Sequence, residues 1–141
     1  MSKQLIAADI GGTSSRFAHF VLAENFTLMK NSAAYLATAD YSSFEALLDG
    51  AAPSVLGIEL SAADLCIFAL PGPIDGGLFC RPPNISWTVD LRSSSVQERI
   101  GRFLLINDFL AQAYSCLSPL AREAKLVLPG HAQGQSTIAV L

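Results

Sequence analysis

Three short apolar runs, residues 4–10, 64–70 and 103–107, each stop on a loop of glycine, proline or polar side chains, and segments with helix signals precede the second and third. Continuous apolar runs of this length, residues 64–70 above all, read as strands covered on both faces. Strands that alternate with helices imply a sheet with a parallel part and helices packed on it. The first run has different neighbours. Residues 15–23 resume directly after Gly11-Gly12-Thr13, and residues 26–37 follow a polar break at Glu24-Asn25. Gaps this short join antiparallel strands. The predicted order is therefore three strands in a meander, helix, buried strand, helix, buried strand, helix, with no repeat or linker.

Capping residues mark the helices. Ser42-Ser43-Phe44-Glu45 offers a capping box in which the Ser42 hydroxyl accepts from the amide three residues on and Glu45 reaches back. The helix that follows should turn Phe44, Leu47 and Leu48 inward, with a second short turn through residues 55–60 after Gly50 and Pro53. Ser94 with Gln97, and Ser95 with Glu98, offer two more boxes and predict a helix over 93–100; another is expected at 109–118, closed by Pro119. Residues 71–77 dictate a turn before a hairpin about Leu78 and Phe79. The strand pattern at 136–141 runs to the last residue without a turn, which reads as a chain cut short.

Composition bounds the partners. Charged residues make up 15% of the 141 and apolar ones 51%, against roughly 25% charged in ordinary domains, so apolar surface should be exposed unless something covers it. The net charge is −3 and the Lys and Arg residues are scattered singly, leaving no basic stripe for nucleic acid. No apolar run approaches the ~18 residues of a membrane helix, and Asp9 comes too early for a signal peptide. The reading is cytoplasmic, with no membrane partner. Cys66, Cys80 and Cys116 form no paired motif and are expected to be buried free thiols in a reducing compartment. His19 and His131 lack metal-ligand spacing and are expected on a strand and a loop.

Ligands of open α/β sheets bind beyond the carboxyl ends of the strands. If the three runs are parallel neighbours, the loops Asp9 to Thr13, Pro71-Gly72-Pro73 and Asn107-Asp108 share one crevice. Gly11 and Gly12 let backbone amides approach a phosphate and Thr13 adds a hydroxyl, while Asp9 makes sense if a Mg²⁺ stands between it and the anion. The same Gly-Gly pair equally suits a tight hairpin turn. Asp108 suits two roles as well: N-cap of the following helix, or general base for an alcohol. Trp87 reads as a buried anchor with its indole N–H paired. Asn84 either holds a turn or lines a sugar site.

In combination these loops resemble the N-terminal domain of bacterial glucokinases of the non-repressor type, within the actin-like ATPase and sugar kinase superfamily. The family's Gly-Asp-x-Gly-Gly-Thr-Asn-x-Arg signature is matched by Asp9, Gly11, Gly12, Thr13 and Arg16, with Ala8 and Ser14 as departures. Residues 72–74 and the pair Asn84 and Trp87 also fit, although Pro83 stands where the family often has threonine. The strongest match is residues 105–109, where the family carries its sugar-binding Asn and catalytic Asp.

The resemblance implies a ribonuclease H-like α/β fold: a mixed sheet with an antiparallel meander, then parallel strands, and flanking helices. It implies Asp108 as catalytic base, Asn107, Asp108 and Asn84 as glucose ligands, and Asp9, Gly11, Gly12 and Thr13 as the ATP loop, with Asp9 toward Mg²⁺. It also implies glucose or a related hexose as substrate and a homodimer for the full-length protein. The family's second phosphate loop, Glu-x-x-His motif and adenosine segment are not found in residues 1–141. The expectation is thus the small N-terminal lobe of a two-lobed kinase, with little activity by itself. The competing expectations are a non-catalytic ligand-binding or oligomerising domain, and a phosphotransferase for another sugar.

Overall fold

A computed structural model of the chain describes residues 1–51 and 53–119, with Glu123 and Lys125. The strand pattern at 136–141 and His131 lie outside the described residues. The meander forms as β1 (Lys3–Ile10), β2 (Ser14–Leu22) and β3 (Leu28–Ala37), followed by α1 (Phe44–Gly50), α2 (Pro53–Leu56) and β4 (Leu65–Leu70). Three two-residue strands come next, β5 (Ile74–Asp75), β6 (Phe79–Cys80) and β7 (Val89–Asp90). Then follow α3 (Ser94–Gln97), β8 (Phe103–Asn107) and α4 (Asp108–Ser115).

The main sheet has the order β3-β2-β1-β4-β8. β1, β2 and β3 pair antiparallel; β4 pairs parallel with both β1 and β8. This is the expected mixed sheet. β5, β6 and β7 form a separate small antiparallel sheet, so the expected hairpin at 78–79 is present.

Side chains alternate across a strand, and one face of the sheet carries the core. Ile6, Ile10, Phe17, Phe68, Leu70 and Leu105 are buried there with Phe44, Leu47 and Leu48 of α1. The Phe44 ring meets Phe68 edge-on at 5.4 Å and lies 6.1 Å from Trp87. Each such buried side chain contributes about 1.5–3 kcal/mol. Trp87 is the anchor expected of it, its indole N–H donating to the Tyr41 carbonyl at 2.9 Å. The other face is less covered: Leu65 and Ile67 of β4 are half-buried, which corrects the expectation of a strand covered on both faces.

Three local expectations shift. The cap of α1 is Ser43, not Ser42: its hydroxyl accepts from the Ala46 amide at 3.1 Å. The helix expected over 93–100 is regular only over Ser94–Gln97, and its serines do not form capping boxes. Ser93 Oγ pairs with Ser95 Oγ, which in turn donates to Glu45 of α1. Cys66 and Cys80 are buried as expected, and burial pushes the Cys66 thiol up to about 11, but Cys116 is exposed at the end of α4. His19 is on β2, buried and bonded to Gln4 and Asn31.

Apolar surface is exposed, as the composition requires, at Phe26, Leu28, Met29 and Tyr35 among others. Phe26, in the turn between β2 and β3, has φ 62° and is 86% exposed. Among the described residues no helix is long and apolar enough to cross a membrane.

Candidate active site

The parallel register aligns the carboxyl ends of three strands: Asp9 of β1 sits beside Ala69 of β4, and Leu70 of β4 beside Asn107 of β8. Loops 11–13 and 71–73 and the head of α4 therefore emerge at one edge, as the sequence implies. Asp9 of β1 and Asp108 at the head of α4, far apart in the chain, line one cleft of about 250 Å³ with Ala69, Ala111, Gln112 and Ser115. Asp9 is exposed and Asp108 half-buried.

Asn107 holds this edge together. Its extended backbone places it as the N-cap of α4, with Oδ1 accepting from Phe109 N at 3.0 Å and Leu110 N at 3.4 Å. Its Nδ2 donates to the Gly72 carbonyl at 2.8 Å. The cap is thus Asn107 and not Asp108, which is already helical and accepts only from the Phe109 amide, at 2.9 Å. Relieved of the main capping role, Asp108 lines the cleft, and its charge reaches Cys80. Burial first, and the Asp108 charge second, push the Cys80 thiol up.

The first loop is both a hairpin connection and a cradle. The Gly11 amide closes it by donating to the Ser14 carbonyl at 3.0 Å, whereas the Gly12 and Thr13 amides donate to no described residue. Thr13 is exposed. Neither Gly11 nor Gly12 has positive φ. Gly12 is glycine for space: a Cβ there would meet the Asn84 carbonyl oxygen at 2.9 Å and Asn84 Cβ at 3.0 Å. Gly72, by contrast, has φ 98°, and its Cβ would meet Pro83 Cδ at 3.2 Å. Pro83 and Asn84 are therefore wedged between the first and second loops, with the Asn84 side chain exposed.

All the sequence-derived site residues, Asp9, Gly11, Gly12, Thr13, Asn84, Asn107 and Asp108, thus belong to one connected edge. The residues missed from sequence are Ser15 and Thr38, both buried and bonded beneath the first loop. Their signal was available: Ser15 is a polar residue in the inward register of Phe17 and His19.

The two carboxylates of the cleft, Asp9 and Asp108, are oxygen donors of the kind that suit a hard cation such as Mg²⁺, which keeps several waters and takes one or two carboxylates plus phosphate. Among the described residues no three His, Cys, Asp or Glu side chains cluster as a self-sufficient metal cage.

Comparison with known proteins follows the same line. The glucokinase of Stenotrophomonas maltophilia (strain K279a) is 34% identical over 112 residues, 79% of this chain and 32% of that protein. The glucokinase of Pseudomonas paraeruginosa (strain DSM 24068 / PA7) is 34% identical over 128 residues, 91% of this chain and 36% of its own length. The chain therefore spans about a third of these relatives. Among solved structures, a glucokinase from an Antarctic psychrotroph superposes with a TM-score of 0.72 at 24% identity, covering 95% of this chain and 41% of that one. Glucokinase from Balamuthia mandrillaris in complex with glucose superposes at 0.56 with 20% identity, covering 87% of this chain and 34% of its own. These likenesses carry the actin-like ATPase fold. The family model named Glucokinase matches residues 6–141, nearly the whole sequence, and on that match the chain belongs to the glucokinase family.

Proposed function

We propose that this chain is the N-terminal lobe of a two-lobed enzyme that transfers the γ-phosphoryl group of ATP to the 6-hydroxyl of glucose. The observation that carries this reading is the shared cleft of Asp9 and Asp108 at the carboxyl ends of β1 and β8. Phosphoryl transfer depends on positioning and on charge stabilisation, with a carboxylate to accept the hydroxyl proton. Asp108 is that base. Asn107, its amide clamped at both ends, retains one N–H with which to orient the sugar. Asn84 offers a second amide from the neighbouring wall. Gly12, Thr13 and the rest of the first loop receive phosphate oxygens through free amides and a hydroxyl. Asp9 would hold Mg²⁺, which when bound would supply neutralisation of the phosphoryl charge. A cytoplasmic homodimer completes the reading, supported by the exposed apolar side chains, which could be covered by a second copy.

In the complete protein, Asp108→Asn should lower kcat by at least ~10²–10⁴. A mutant with near-normal turnover would remove the base role. The 141-residue chain alone should release no ADP in response to glucose, because it spans about a third of its relatives. Glucose-dependent ADP release that disappears in Asp108→Asn would show that this lobe is sufficient.

A further inference from the structure

The first loop is held from below by a side chain that none of the proposed chemical roles uses. Thr38 follows β3 directly and is 2% exposed; Ser15, on β2, is fully buried. Thr38 Oγ1 lies 2.7 Å from the Gly11 carbonyl oxygen and 2.8 Å from Ser15 Oγ, and the Thr38 amide donates to the Thr13 carbonyl at 3.1 Å. A threonine hydroxyl has a single proton, and a carbonyl can only accept. That proton therefore goes to Gly11, which makes Ser15 the donor in the hydroxyl pair. Every proton in the relay from Ser15 through Thr38 to Gly11 is assigned.

The relay fixes a peptide plane. In a planar trans peptide the carbonyl and the following N–H point in opposite directions. With the Gly11 carbonyl drawn inward by Thr38, the Gly12 N–H is turned outward, where it donates to no described residue. Two consecutive glycines have little conformational preference of their own to hold that plane. Asn84, crowding Gly12 from the side, restricts its displacement but supplies no hydrogen bond to set its orientation.

We propose that Thr38 is a positioning residue for the nucleotide: by holding the Gly11 carbonyl, it presents the Gly12 N–H to a phosphate oxygen of ATP. The inference rests on reading residues 9–13 as the phosphate loop. Its test uses the complete protein and compares Thr38→Val, which keeps the shape and removes the hydroxyl, with Thr38→Ser, which keeps the hydroxyl. Calorimetry reads the affinities for magnesium ATP and for glucose separately. The valine variant should bind ATP about tenfold more weakly, the scale of one hydrogen bond to a charged group, with glucose affinity unchanged and with ATP affinity restored in the serine variant. Unchanged ATP affinity in the valine variant, an equal loss for both ligands, or an equal loss in the serine variant would each overturn it. If the valine variant does not fold, Thr38→Cys, with its weak donor, is compared with Thr38→Ser under the same criteria. A wild type that binds ATP without phosphorylating glucose would remove the kinase reading and leave this result standing on the affinities. A wild type that binds no nucleotide would overturn both.

Discussion

Asn107 commits both ends of its amide to the protein, one to the head of α4 and one to the Gly72 carbonyl. Losing an N-cap costs about 1 kcal/mol, and a lost neutral hydrogen bond about as much again. Asn107→Ala should therefore destabilise the chain by about 2 kcal/mol, read as a lower urea midpoint with an unchanged slope. An alanine variant as stable as wild type would leave Asn107 only its proposed sugar contact. The sequence marked this pair as the polar end of a strand but gave the cap to its neighbour. Asn and Asp cap equally well, so composition could not choose; the choice is made by backbone dihedrals, extended at Asn107 and helical at Asp108. Gly12 was legible as an important glycine for another reason. What excludes a side chain there is Asn84, and a contact between residues so distant in the chain leaves no local pattern to read.

Among the elements, those with strong alternation or long apolar runs were legible, and those governed by hydroxyl competition were not. β1, β4 and α1 follow the sequence because each buries several regularly spaced apolar side chains, whereas β2, β3 and β8, whose buried apolar side chains are only Phe17, Ala34 and Leu105 respectively, follow from their connections to the strands they pair with. The serine run at 93–95 satisfied the capping pattern twice, yet its hydroxyls bond to each other and to Glu45 of α1. Side-chain partners on another element outcompeted the local amides. At α1 the distinction is testable in a matched pair. Ser43→Ala should cost about 1 kcal/mol through loss of the Ala46 contact, whereas Ser42→Ala, one residue earlier and exposed, should stay within about 0.5 kcal/mol of wild type. Equal costs by denaturant titration would return the cap to a shared role. The same element explains why the core forms around Phe44: the capped first turn of α1 sets this ring against Phe68 and Trp87.

At the scale of the whole molecule, acid should act through paired carboxylates. Glu45's own backbone amide holds its carboxyl below the ordinary 4.5, and Arg99 holds Asp49 below 3.8. The Gln4 amide lowers Asp64, and the Arg92 side chain lowers Asp90. Groups with depressed native values contribute stability that is fully present above their unfolded values and is lost as pH falls through the native ones. The melting temperature should thus be level with respect to these groups above about pH 5 and fall steadily below about pH 4.5. A melting temperature unchanged down to pH 3 would mean that these pairings persist in the unfolded chain or do not form in the native one. The fold as a whole was legible to the level of strand order type, meander then parallel, because each connection length permits only one kind of pairing. The partial cover of the second face was not, since an apolar strand reads alike whether one face or both are fully packed. Phe26 leads to a different kind of consequence. A bulky residue at φ 62° sits where left-handed backbone costs roughly 1–2 kcal/mol, and its turn closes the end of β2 opposite the loop that carries Gly12. The chain thus keeps a reserve of stability at the end of the sheet remote from its chemistry, open to evolution or to an engineer without any change to the crevice.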